Sequence, residues 1–405
     1  MKSLPLLRGV VAKPSLEQSL VIGVSLSYIL LVIAWQLGRL GVGQIGNVPL
    51  YHLYYYAMTH GYTPYSKIPL EYLPGVLPFI LVAGFLGSFM HSYTAGYMLL
   101  ATISFGLFLS HVYFRFGRRA MVLLCLALLP IMRFVFFQLD IFAAITLYLS
   151  IYYLVDSKYG RSAVMLALST YIKTYPGVCL LALIWIVPKG KRLRYLVVFT
   201  AVLAAGLLPF AIIAPHGLWA SVTYHTGRPV EWETAGAAVG YILHLFGQPA
   251  QVINTHKSQA LIFPGESLVS AMSTVLLIVS LFLAAWAVFK KRLKPYPATI
   301  GLIMTLIFIL FFKVASPQYL VVSFFLLPMV MKELAKSLVN QLVIRLTLLS
   351  LAQWILFLVI FNFYKDSLTT GFTLVVASLT VLRAVLLGEL VVFLYRNIRP
   401  SKRLA

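Results

Sequence analysis

The chain has 405 residues, 61% of them hydrophobic and only 10% charged, with a mean hydropathy of +0.93. Soluble domains run at roughly 45–50% apolar and about 25% charged, so a soluble enzyme is excluded and an all-α, polytopic membrane protein is expected. The net charge of +22 does not point to nucleic acid. Its cations sit in short clusters between apolar runs, as cytoplasmic loops do, and no extended basic face interleaves with aromatics.

Residues 1–17 are basic and precede an apolar run at 18–37 that is long enough to span a bilayer. With no convincing small-residue cleavage site, this reads as a retained first helix with a cytoplasmic N-terminus. Residues 38–73 then form a first outer loop. Within it LYHLYYYAMTHG (50–61) reads as a short amphipathic helix on the membrane, its tyrosines at the interface. The prolines and glycines of GYTPYSKIPLEYLPG (61–75) make the rest turn-rich.

Further apolar runs predict helices at 74–90, 94–112, 120–133, 139–155, 162–187, 195–214, 266–289, 296–312, 317–331, 338–361 and 371–395, about twelve in all with the first. Pro176 and Gly177 in YIKTYPG (171–177) predict a break in the 162–187 run that brings Lys173 to the outer face. Placing the basic clusters at 188–194, 290–295, 331–336 and 396–403 in the cytoplasm fixes the second half. That leaves 215–263 as a large outer loop and 396–405 as a cytoplasmic tail. The cluster RFGRR (115–119) belongs in the cytoplasm by charge but falls outside by helix counting, unless 74–90 is short or re-entrant. There is no repeat and no inserted soluble domain, so 1–405 reads as one membrane domain. Cys125 and Cys179 lie in apolar runs without a CxxC and read as core thiols.

Ten acids are present: Glu17, Glu71, Asp140, Asp156, Glu231, Glu233, Glu266, Glu333, Asp366 and Glu389. Glu17, Asp156 and Glu333 stand among cations near helix ends and read as solvated charges, and Glu389 reads as a partner for Arg383. Glu71, Asp140, Glu231 and Glu233 lie in polar, aromatic contexts near predicted outer ends. An ionisable group at membrane depth is costly and is a functional suspect by default. Asp140 in FFQLDIF reads equally as a site residue and as a structural partner of Arg133.

Three further segments look chemical beside the first loop. Lys173 in STYIKTYPG (169–177) either needs an anion or a wet cavity, or snorkels from a helix end. Arg228 in YHTGRPVEWET (224–234) suits bidentate phosphate contact, or belongs to a solvated loop with local ion pairs. Lys313 in FFKVASPQYL (311–320) is by itself ordinary dipole complementation at a helix end. Together the three cations share one face with the aromatic loop, and a lipid phosphate is the natural anion for them. Walker, Rossmann and HExxH patterns are missing, so soluble nucleotide chemistry has no support.

In order and spacing these segments resemble the GT-C superfamily of integral-membrane glycosyltransferases. Within it the likeness is to polyprenol-phosphate-mannose-dependent mannosyltransferases, both those that build phosphatidylinositol mannosides and the first one of GPI-anchor synthesis. The matching stretches are NVPLY (47–51), GYTPY (61–65), EYLP (71–74), KTYP (173–176), RPVEWET (228–234) and KVASPQY (313–319), the last being the most specific. The resemblance implies inverting transfer of a sugar, mannose by family, from a polyprenyl-phosphate to a hydroxyl of a lipid or glycolipid acceptor. The site would face outward from a plasma membrane, or into the lumen of the endoplasmic reticulum. It implies Lys173, Arg228 and Lys313 as donor-phosphate ligands with His225 as a helper. Tyr51, His52, Tyr65, Asp140, Glu233, Gln318 and Tyr319 would position sugar, acceptor or loop. No cofactor is expected, and the few outer carboxylates argue against a tightly held divalent metal.

The sequence departs from that family at one place, since the family's catalytic acid falls on Asn47. An amide accepts no proton at neutral pH, and a general base contributes roughly 10²–10⁴ in rate. Four readings stay open: an engineered exchange that traps a substrate complex, a weakly active or inactive natural protein, a base from elsewhere with Glu71 and His52 first, or a shifted alignment. Two other classes compete. A transporter or lipid flippase fits poorly, because no internal repeat exists and the polar motifs gather at one face. A non-catalytic relative that binds lipid-linked sugar is kept open by Asn47.

Overall fold

The structure is a computed structural model that describes residues 46–224, 226–256, 258–291, 296–364 and 367–398. The expected helix at 18–37, the N-terminal segment with Glu17, His225, Asp366 and the tail beyond 398 lie outside the described residues.

The described chain is an all-α membrane protein with one small hairpin. Six helices are long and apolar enough to cross a bilayer: Tyr93–Phe116, Arg118–Phe136, Lys189–Ile213, Glu266–Lys290, Lys336–Ile360 and Thr370–Asn397. In chain order the helices are α1 (Val48–Thr59), α2 (Leu77–Phe89), α3 (Tyr93–Phe116), α4 (Arg118–Leu128), α5 (Met132–Phe136), α6 (Asp140–Val155) and α7 (Tyr159–Ile172). Then come α8 (Leu180–Ile186), α9 (Lys189–Ile213), α10 (Pro215–Thr223) and α11 (Ala235–Leu245). The strands β1 (Gln251–Thr255) and β2 (Ser258–Ile262) pair antiparallel, from Gln251 opposite Ile262 to Thr255 opposite Ser258. The last helices are α12 (Glu266–Lys291), α13 (Pro297–Phe311), α14 (Tyr319–Phe324), α15 (Leu327–Glu333), α16 (Lys336–Phe363) and α17 (Thr370–Asn397).

Local sequence explains the boundaries that matter for the site. Ser92, Thr234 and Thr369 cap α3, α11 and α17, each side-chain oxygen accepting a backbone N–H. The expected break falls where Pro176 predicts it: α7 stops at Ile172, Lys173 is extended (φ −139°, ψ 130°), and a 3₁₀ turn over Tyr175–Cys179 restarts the chain. The helix α1 occupies the expected position and buries Val48, Tyr51 and Tyr54, one face at a spacing of three.

Two contacts join RFGRR to the segment around 331–340. Arg119 Nη2 donates to Asn340 Oδ1 (2.9 Å) and Lys332 Nζ to the Arg115 carbonyl (3.0 Å). The cluster therefore shares an end with the basic 331–336 segment, as its charge demands. The helix α2, the one the alternative made short or re-entrant, has 13 residues. That is about 20 Å at 1.5 Å per residue, short of a hydrocarbon core of about 30 Å. It packs tightly on α3 through glycine, since a Cβ on Gly96 would stand 2.3 Å from the Ala83 carbonyl.

The 215–263 segment folds on itself: Val230, Trp232, Tyr241, Leu261 and Phe263 bury a second apolar cluster against Leu356, Ile360 and Val376 of α16 and α17. Two expectations are corrected. Glu333 is not a solvated charge, because its carboxylate accepts the backbone N–H groups of Ala298 (2.9 Å) and Thr299 (2.7 Å) at the start of α13. Glu389 pairs with Arg345 (2.9 Å) rather than Arg383, which is buried and donates to the carbonyls of Glu233 and Ala315.

Candidate functional site

The chain returns repeatedly to one end of the helical body, and there the polar segments enclose a cavity of about 340 Å³. Its lining comes from the first loop (Asn47, Glu71, Tyr72), the α5–α6 connection (Arg133, Gln138), the broken helix (Lys173, Tyr175), the 221–233 segment, the hairpin and the turn at 316–319.

The helix break supplies the centre. Lys173 is buried, with Nζ 3.2 Å from Asp140 Oδ2 and 4.5 Å from the Tyr72 ring centroid. Asp140 opens α6, is fully buried, and accepts the Tyr175 hydroxyl at 3.0 Å on Oδ1. The Asp140 carboxylate thus meets the Tyr175 hydroxyl on one oxygen and the Lys173 ammonium on the other. Of the two readings left open for Asp140, the pair with Arg133 is not the one formed: Asp140 pairs with Lys173. Arg133 instead lies over the Phe357 ring (4.5 Å) and faces Glu233.

The first loop stands beside this pair. Asn47 Nδ2 donates to the Tyr72 hydroxyl at 3.0 Å, and the Glu71 carboxylate adjoins the phenols of Tyr72 and Tyr224. Tyr51 and Tyr65 are one layer back: Tyr51 donates to Gln138 Oε1 (3.1 Å), and Tyr65 to the Tyr72 carbonyl (2.5 Å). Gly217 lets α10 close against this layer, where a Cβ would meet the Tyr65 carbonyl at 1.7 Å. His52 points elsewhere. It is exposed, stacks on Tyr93 at 4.9 Å and does not line the cavity, so it drops out as a base.

The opposite wall is a strapped loop. Arg228 Nη2 lies 3.3 Å from Glu231 Oε1 and also donates to Ser258 on β2. Glu231 accepts the Ser316 hydroxyl on both carboxylate oxygens (3.0 and 2.9 Å). Its own N–H donates to the Lys313 carbonyl at 2.9 Å. Lys313 does not line the cavity as expected, because Nζ donates to the Thr226 carbonyl (2.9 Å) and ties the loop down. Gln318 and Tyr319 do line it, with Tyr319 packed 4.4 Å from Tyr175.

Burial disfavours the charged form of both loop carboxylates. It pushes Glu231 above the usual carboxylate range, against the pull of Arg228 and Ser316. Burial, helped by the neighbouring Glu231, pushes Glu233 up to about 8, although Arg383 and a 2.9 Å hydrogen bond from Gln353 favour its ionised form.

Lys173, Arg228, Glu233, Gln318, Tyr319, Glu71 and Asn47 are thus brought to one cavity, with Asp140 touching its lining. Lys313 and His52 are not, Tyr51 and Tyr65 support the wall, and His225 lies outside the described residues. Sequence reasoning missed Arg133, Gln138, Tyr175 and Ser316 as lining residues. An arginine in the apolar run LLPIMRFVFF was the available signal, since burying one is costly without a role. Among the described residues no three His, Cys, Asp or Glu side chains group as metal ligands. The arrangement can hold an anion beside Lys173 and Arg228, and a hydroxyl-rich group among carboxylates, phenols and Gln318. The sequence matches no protein-family model and no curated protein.

Proposed function

We propose that this protein is a GT-C-type glycosyltransferase of about twelve spans, with the 340 Å³ cavity as its active site. It moves a sugar, mannose by resemblance, from a polyprenyl-phosphate donor to a hydroxyl of a lipid or glycolipid acceptor on the outer or lumenal side. The observation that carries the reading is the convergence of Lys173, at the helix break, with Asn47, Tyr72 and Glu71 of the first loop in one polar cavity of an apolar body.

The chemistry needs two things. The acceptor oxygen bonds to sugar C1 as the C1–O bond to phosphate breaks, and the electron pair leaves on phosphate. Lys173 and Arg228 are the cations that meet that charge. The acceptor proton goes to Glu71, the carboxylate that lines the cavity beside Asn47. The test is purified protein with polyprenyl-phosphate mannose and a panel of lipid acceptors. Neither transfer nor donor binding would defeat the proposal.

One observation favours a second reading. Asn47 donates to Tyr72, whereas a base must accept, and a protein that binds the lipid-linked sugar without turnover needs no base there. Normal donor binding without transfer, unchanged by Asn47→Asp, selects that reading.

A further inference from the structure

The opposite end of the molecule carries a second cavity, of about 460 Å³, between the α6–α7 turn and the start of α9. Lys158, Arg161, Lys191 and Arg194 line it, and no acid does. Asp156, the acid just before it in sequence, pairs with Lys158. Among the described residues no ion pair neutralises Arg161, Lys191 or Arg194.

This charge stands where helix physics disfavours it. Cations are favoured at helix C-termini, yet these belong to the opening turns of α7 and α9, whose dipoles present positive ends. Neither helix has an acid in its first turn or a side-chain cap. The cavity is also built. Lys191 Nζ lies 5.0 Å from the Tyr159 ring centroid and Arg161 Cζ 5.9 Å from that of Tyr153, which limits how far either cation turns away. The floor is a buried hydroxyl network in which Tyr195 Oη and Ser162 Oγ stand 3.2 Å apart and Ser162 meets Ser150. Three cations without an ion pair, two helix N-termini and a hydroxyl floor call for an anion with several acceptor oxygens, which is a phosphate.

The surroundings select the source of that phosphate. Only 6% of the α9 span is buried inside the protein. Beside Lys191 and Arg194 it presents Leu193 (74% exposed), Leu196 and Val197 to the outside. A free phosphate has no use for that apolar face, whereas a phospholipid lays its chains there. We infer that this cavity binds the headgroup phosphate of an anionic phospholipid, with its acyl chains along Leu193, Leu196 and Val197. The inference is independent of the chemistry at the other end.

The test is native mass spectrometry of the full chain in detergent with phosphatidylglycerol, phosphatidylcholine or inorganic phosphate. Phosphatidylglycerol should be retained over phosphatidylcholine. The double variant Lys191→Gln/Arg194→Gln should lower that retention roughly 10- to 30-fold, the loss expected for two cations near a lipid surface. The exchange Lys191→Arg/Arg194→Lys, which keeps both charges, should retain the lipid and serves as the control for folding. Equal retention of the two lipids, or undiminished retention by the neutral double variant, overturns the site. Inorganic phosphate that binds as tightly as phosphatidylglycerol overturns the lipid assignment.

Discussion

Lys173 Nζ, at the break that separates α7 from α8, stands 3.2 Å from Asp140 Oδ2 at the start of α6, and both side chains are buried. The pair joins two roles. It neutralises an ammonium inside the helical body, and it holds that ammonium over Tyr72 at the cavity wall.

Removing one partner leaves the other buried and uncompensated, which costs about 3–5 kcal/mol. Asp140→Asn should therefore lower the melting temperature of the detergent-solubilised protein by several degrees. Adding Lys173→Met to Asp140→Asn should recover much of that loss while abolishing donor binding. A double variant no more stable than Asp140→Asn would show that the two residues are not coupled.

At the first loop, Glu71→Gln should lower transfer by roughly 10²–10⁴, the range of a general base. Asn47→Asp places a carboxylate where Asn47 Nδ2 now donates to Tyr72, turning a donor into an acceptor. Transfer should rise in that variant, and the added Glu71→Gln exchange should then cost less. An unchanged rate in Glu71→Gln removes Glu71 as the base.

Sequence was informative where one residue type decides the backbone. Pro176 ended a helix, and the basic clusters marked one end, which the Arg119–Asn340 contact bears out for 115–119. Lys173 was legible as a cavity residue because it sits in an otherwise apolar or aromatic stretch, and Arg228 and Gln318 because they stand in polar segments between apolar runs. Pairing was not. Asp140 lies seven residues from Arg133 but takes Lys173, and Glu389 takes Arg345 instead of Arg383, because partners are chosen across helices by packing. The hairpin and its apolar cluster were hidden for the same reason: Val230 and Trp232 are single apolar residues in a polar loop until α16 and α17 cover them.

Glu233 gives a pH dependence with a definite sign. Its folded value is about 8, above the ordinary carboxylate value of 4.5. Between those values the folded state holds a proton that the unfolded state has released, so stability falls as pH rises from about 4.5 to about 8 and levels off above. The slope for one proton is at most about 1.4 kcal/mol per pH unit. Glu231 is raised too and contributes with the same sign. Melting curves between pH 5 and 9 should therefore decline more steeply for the wild type than for Glu233→Gln, and parallel curves would refute the assignment.

Glu333 supplies the final prediction, at the end away from the cavity. Its carboxylate accepts two backbone N–H groups and the Thr299 hydroxyl (2.8 Å), so it caps α13 from a neighbouring helix. Glu333→Ala strands those donors where they are partly buried and should destabilise by about 1–3 kcal/mol. Glu333→Gln keeps an acceptor oxygen and should cost less. Glu389→Ala is the internal comparison, since its pair with Arg345 is largely exposed and such pairs contribute about 0–1 kcal/mol. Donor binding should be unaffected by all three, because none reaches the cavity lining. If Glu333→Ala melts no lower than Glu389→Ala, the carboxylate is not anchoring the start of α13.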